Sequence, residues 1–207
     1  MEYRIDIQDA ARRTARSILL PTVLIAAAVF ALNFSRWDFS FFMRAAAMDF
    51  WPWMGLFLSW AVLFVAAVVL GVPVHEGIHG LLIALLTRGG FRRVHWGYDR
   101  ATMTPFAHAR GPLRAWQMTT VCLGPLAAMG VAPFVLAVAC GSVFLYALSV
   151  VFIVSAGGDI FYARLLRKVP AGTWVEDLPD AVGYSVVQGR EKPSGSEDSA
   201  RTGQGGK

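Results

Sequence analysis

Three residues between Val74 and Gly80 have the types and spacing for metal chemistry. The segment reads Val-His-Glu-Gly-Ile-His-Gly, an HExxH pattern. Side chains four apart on a helix share a face, so His75 and His79 can reach a single ion. Neutral imidazole is a good zinc ligand, and a glutamate beside the first histidine can take a proton from water whose pKa the ion lowers towards 7. The spacing therefore casts His75 and His79 as ligands and Glu76 as the catalytic base. Two histidines and a carboxylate inside an apolar block are costly to bury, which marks them as functional. The bland alternative pairs Glu76 with Arg88 and leaves both histidines on backbone carbonyls.

A catalytic zinc has three protein ligands and one open position, so one ligand is still to be found. Asp159 is the only acidic residue between Asp99 and Glu176. It lies nine residues before Lys168, as His79 lies nine before Arg88, so on helices both sit at a similar depth from a basic boundary. Gly157 and Gly158 precede it, and the expectation is that they let its helix approach the histidine helix closely. The competing role for Asp159 is a helix cap or a pair with Arg164. His95 and His108 are the other candidates for third ligand. His108 falls in Thr104 to Arg110, which reads as a strand beside the site, where it would bind substrate or orient a reaction intermediate.

These groups must be held by elements that belong in a bilayer. Of 207 residues, 56% are hydrophobic and 16% charged, against about 45–50% and about 25% in soluble domains. The apolar residues form long blocks with arginine-rich connections, and the net charge of +5 reads as membrane topology rather than nucleic-acid binding. Cys122 and Cys140 lie about 27 Å apart if helical, too far to pair.

The expected fold is an all-α polytopic membrane protein with about four transmembrane helices, a short HExxH helix and a small loop or β-hairpin between. Residues 1–17 form a cytoplasmic N-terminal segment, 18–188 the membrane-embedded domain, and 189–207 a disordered tail. Ile18 to Leu32 is a short first span; a cleaved secretory leader would share its basic-then-apolar order. Asn33 to Phe50 reads as a loop or surface helix. Trp51 to Leu86 is too long for one span, so Gly71 and Pro73 are expected to break it ahead of His75. Val94 to Tyr98 suggests a hairpin strand; Gly124-Pro125 interrupts a span from Met118 to Ala139, and a tight break at Cys140-Gly141 separates it from a last span, Ser142 to Phe161. Basic clusters near both ends and in the Arg88 to Arg114 loop place both termini in the cytoplasm.

The set His75-Glu76-Gly77-Ile78-His79-Gly80, Pro105-Phe106-Ala107-His108, Gly124-Pro125, Gly157-Gly158-Asp159 and Asp177-Leu178-Pro179 leading to Val182-Gly183-Tyr184 resembles a family of bacterial membrane proteins described as putative zincin peptidases. That family is distantly similar to the site-2 proteases. The resemblance covers about Trp53 to Gln188 and implies an intramembrane metallopeptidase core in a bacterial inner membrane, with Asp159 as third zinc ligand. Gly-Gly-Asp-Ile stands where site-2 proteases usually have Leu-Asp-Gly.

The expected activity is hydrolysis of peptide bonds in membrane-associated protein or peptide substrates, with Zn2+ as cofactor and the lipid bilayer as surroundings. Two rivals use the same residues. A metal-binding scaffold or adaptor would need the ligands but not Glu76. A metal transporter would need a second ionisable cluster, which these spans lack.

Overall fold

The computed structural model describes residues 2–5, 7–100, 104–178 and 182–187. Strand β1 (Glu2–Ile5) leads into α1 (Ile7–Thr14), a π-helical turn at Ala15–Leu19 and α2 (Leu20–Leu32). A 3-10 turn and the short α3 (Ser40–Ala46) carry the chain to α4 (Phe50–Leu86). The hairpin β2 (Val94–Asp99) and β3 (Thr104–Ala109) follows, then β4 (Leu113–Arg114) and α5 (Ala115–Pro125). A second π-helical stretch, Leu126–Val131, joins α5 to α6 (Ala132–Cys140). Helices α7 (Val143–Ser155) and α8 (Gly157–Leu166) precede strands β5 (Trp174–Asp177) and β6 (Val182–Val186).

Among the described residues, three helical stretches are long and apolar enough to cross a membrane: Asp9–Leu32, Phe50–Leu86 and Ala115–Cys140. A fourth span forms if α7 and α8, bent by 45° at their junction, are taken together. Only 6% of the most apolar window of α4 is buried, so residues such as Leu63, Val65, Val69 and Leu70 face outward. Water penalises such exposure at roughly 25 cal/mol per Å² of apolar surface, whereas lipid does not. The chain is an all-α polytopic membrane protein with a small β portion.

The histidine helix departs from expectation. No short separate helix carries the HExxH residues: α4 runs unbroken for 37 residues through Pro73. A proline removes one intrahelical hydrogen bond, a loss that membrane helices tolerate when neighbours support both halves. Here Gly71 lies against Phe152 of α7, while Ile78 and Leu82 lie against Gly124 of α5. At about 1.5 Å per residue α4 is about 55 Å long, so it tilts or extends beyond a hydrocarbon core of about 30 Å. Gly124-Pro125 likewise does not interrupt its span; the chain continues as helix through the π-helical stretch. The turn at Gly141 does end α6, with φ +70°, where a side chain would strike the Arg36 carbonyl.

The expected hairpin is present, with β2 and β3 antiparallel and His95 opposite His108. A four-stranded sheet of order β1-β6-β5-β4 was not anticipated. It pairs the first described strand with the last, antiparallel, which brings the two ends of the described chain together. The main core joins Ile83 and Ala84 of α4, Met118 and Val121 of α5, Phe161 and Leu165 of α8, and Val175 of β5. A smaller cluster of Ala26, Trp37, Ala137 and Tyr146 packs apart from it. The tail expected over 189–207 lies outside the described residues.

Candidate functional site

The HExxH residues occupy the part of α4 that packs between α5 and β3. His75 and His79 are one turn apart, with ring centroids 4.9 Å from each other and their Nε2 atoms 3.2 Å apart. Asp159, in the first turn of α8, places Oδ2 3.1 Å from His75 Nε2 and 3.6 Å from His79 Nε2. The bend between α7 and α8 aims that first turn at α4.

The surroundings orient both ends of the group. His79 Nδ1 lies 2.9 Å from the Val121 carbonyl of α5. A carbonyl only accepts, so Nδ1 carries the proton and Nε2 keeps its lone pair for a ligand role. On the other side, the Ala107 N–H of β3 donates to Glu76 Oε2 at 3.0 Å. Ala107 can do so because the alternate residues of β3 make the ladder with β2, leaving its own N–H free. The Glu76 carboxylate is thereby held beside the histidines: one ligand atom from each of His75, Glu76 and His79 lies within 4.8 Å of the others.

These groups are able to hold a metal ion. Bonds of about 2.0–2.1 Å in a tetrahedral site put neighbouring donor atoms about 3.3 Å apart. The two Nε2 atoms and Asp159 Oδ2 form a triangle with edges of 3.1, 3.2 and 3.6 Å. Glu76, engaged by β3, stands beside this triangle.

A cavity of about 540 Å³ opens beside the group, lined by Glu76, His79 and Asp159, by residues of β3, and by Tyr162 and Asp177. A smaller one of about 190 Å³ lies between α4 and α7 and reaches His75 and Glu76 past Val72 and Val151. Glu76 is in the wall of both. His108 faces the larger cavity, with Nδ1 3.4 Å from Asp177 Oδ2. Burial holds the Asp177 carboxyl above the usual carboxylate range, and His108 pulls the other way.

The structure thus brings His75, Glu76, His79 and Asp159 together and sets His108 on the rim of the same cavity. Exposed His95 lies across the hairpin from His108 and is not among the cavity-lining residues. The glycine expectation needs correcting. Gly157 lies against Thr14 and Leu19 of the N-terminal helical stretch, and Gly158 has open space where a side chain would be. The close approach to the histidine helix is made by Gly124 instead, because its missing side chain leaves room for Ile78 and Leu82. The Val121 carbonyl and the Ala107 N–H had no signal in the sequence, since any residue supplies them. Asp177 had one, as part of the ordered motif set, but nothing in its spacing named His108 as its neighbour.

No curated protein and no solved structure matches the chain. The family described as "Putative zincin peptidase" matches residues 68–174, just over half the chain, from the helix turns before the HExxH residues to the first residue of β5. The chain belongs to that family.

Proposed function

We propose that this protein is a zinc metallopeptidase that hydrolyses peptide bonds of membrane-associated substrates. The observation that carries the reading is the triangle of His75 Nε2, His79 Nε2 and Asp159 Oδ2, with edges of 3.1, 3.2 and 3.6 Å and a carboxylate poised beside it. His75, His79 and Asp159 would hold the zinc, a set of two imidazoles and one carboxylate that suits that ion. When bound, zinc supplies a Lewis acid that makes water nucleophilic near neutral pH and polarises a carbonyl.

The chain's own residues do the rest. Glu76 accepts a proton from the attacking water and passes it to the nitrogen that leaves as the peptide C–N bond breaks. The Ala107 N–H keeps the carboxylate aimed. The Val121 carbonyl keeps His79 in the tautomer that leaves Nε2 free. Apolar walls between α4 and α7 suit a substrate arriving from the bilayer. Basic clusters beside the spans favour cytoplasmic termini, and the resemblance to a family of bacterial membrane proteins suggests a bacterial inner membrane.

Metal content of the detergent-purified protein, measured by elemental mass spectrometry, is the direct test. About one zinc per chain is expected, lost in His79→Ala and in Asp159→Ala. Glu76→Gln should keep its zinc but lose hydrolysis by about 10²–10⁴-fold, the usual worth of a positioned base. A metal-free wild type would refute the zinc reading. An undiminished biological function in Glu76→Gln would favour a metal-binding scaffold.

A further inference from the structure

We propose that His108, held by Asp177, is a second catalytic residue that donates a hydrogen bond to the carbonyl oxygen of the scissile peptide. The inference rests on the peptidase reading and adds to it a second residue lining the same cavity.

A run of polar groups lines the cavity. Ala107, which holds Glu76 at 3.0 Å, is the residue before His108, so the backbone bearing the imidazole is anchored to the base itself. Asp159 and Tyr162 are three residues apart on α8 and share a face. Tyr162 is close enough to Asp177 to act on its carboxyl, and Asp177 Oδ2 is 3.4 Å from His108 Nδ1. These residues all line the cavity of about 540 Å³. The Phe106 ring packs edge-on to His108 at 5.0 Å and so limits its swing.

Stability does not account for the pair. The His108 side chain is 54% exposed and that of Asp177 38%, and ion pairs in such settings contribute about 0–1 kcal/mol. Their placement has a chemical use. A carboxylate only accepts, so it takes the Nδ1 proton of His108 and turns the other edge of the ring away. An imidazolium carries an N–H on both nitrogens, so one can serve Asp177 and the second a ligand. As water adds to the peptide carbon, a C–O bond forms and the carbonyl π pair moves onto oxygen. That oxygen is the acceptor for His108 Nε2–H. The pair returns to the carbon when the C–N bond breaks and the nitrogen leaves with the proton held by Glu76. His108 acts on the substrate, while Asp177 is a positioning residue acting through His108.

The test uses the full chain in detergent with His108→Ala, His108→Gln, Asp177→Asn and the double variant His108→Ala/Asp177→Asn. Zinc content, cleavage of a fluorescence-quenched peptide mixture, and calorimetric binding of a phosphinic tripeptide are measured for each. The phosphinate mimics the tetrahedral oxyanion and gives a readout that does not require turnover. Losing one oxyanion donor typically costs about 10²–10³ in kcat. His108→Ala should therefore lower kcat about 100-fold with zinc content and KM unchanged, and weaken the phosphinate. His108→Gln, which keeps an N–H, should recover part of both. Asp177→Asn should lower kcat less, and should add nothing when His108 is already alanine. Unchanged kcat and phosphinate binding in His108→Ala, in a protein whose wild type does both, would overturn this inference alone. So would loss of zinc in that variant, which would mark a structural role. A zinc-loaded wild type that neither cleaves nor binds the phosphinate would overturn the peptidase reading and this inference with it.

Discussion

Replacing Gly124 by valine should weaken the metal site without touching a ligand. Gly124 lies three residues after Val121 on the same face of α5, and the Val121 carbonyl holds His79 Nδ1 at 2.9 Å. A side chain at 124 would fall on a Leu82 methyl and come within 3.3 Å of Ile78 Cγ2. The Leu82 methyl can rotate away, so Gly124→Ala should cost little. The two further carbons of valine have nowhere to go unless α5 backs off from α4, and such overpacking typically costs about 1–3 kcal/mol. A retreat of about 1 Å would stretch the His79 bond beyond hydrogen-bonding range. Losing the outer partner of a ligating histidine lowers metal affinity about 10–100-fold. That range agrees with the roughly 1–3 kcal/mol of leaving a buried donor unpaired. Chelator competition on the purified protein would read the zinc dissociation constant, with scanning fluorimetry reporting stability. Gly55→Val is the control, since nothing lies within 4 Å of the added carbon there. Wild-type zinc affinity in Gly124→Val, or an equal loss in Gly55→Val, would refute the coupling of helix spacing to ligand orientation.

Two further outcomes are expected. Ala107→Pro removes the N–H that Glu76 accepts while sparing the ladder with β2; it should keep zinc but lower kcat roughly 10–100-fold, the worth of a hydrogen bond to a charged group, and full activity would refute the aiming role. Asp177 titrates above its unfolded value of about 3.9 because burial disfavours its charge. The folded state then holds the proton longer than the unfolded chain, so stability falls as pH rises from about 4 through the folded pKa. Asp177→Asn should flatten that fall in fluorimetric melts from pH 4 to 7, and an unchanged slope would refute the assignment.

The membrane class and the grouping of His75, Glu76 and His79 were legible because both depend on local patterns. Runs of apolar residues declare themselves in composition, and histidines four apart on a helix share a face whatever surrounds them. Asp159 was also legible, because depth in a bilayer can be counted in residues from the basic boundary. The continuity of α4 through Pro73 was not, since a single lost hydrogen bond is outweighed or not according to what packs on either side. Nor was the small-residue contact: spacing pointed to Gly157 and Gly158, and the structure made it at Gly124, because two helices 40 residues apart meet where their surfaces fit.

The sequence alone therefore determined which side chains can bind metal and that they lie among apolar helices, because those properties belong to residue types and their periodicity. Only the tertiary structure decided what orients them. The Val121 carbonyl on His79, the Ala107 N–H on Glu76 and the Asp177 carboxylate facing His108 are contacts between distant elements. Two of the three are backbone groups, which every sequence carries and only a fold can aim.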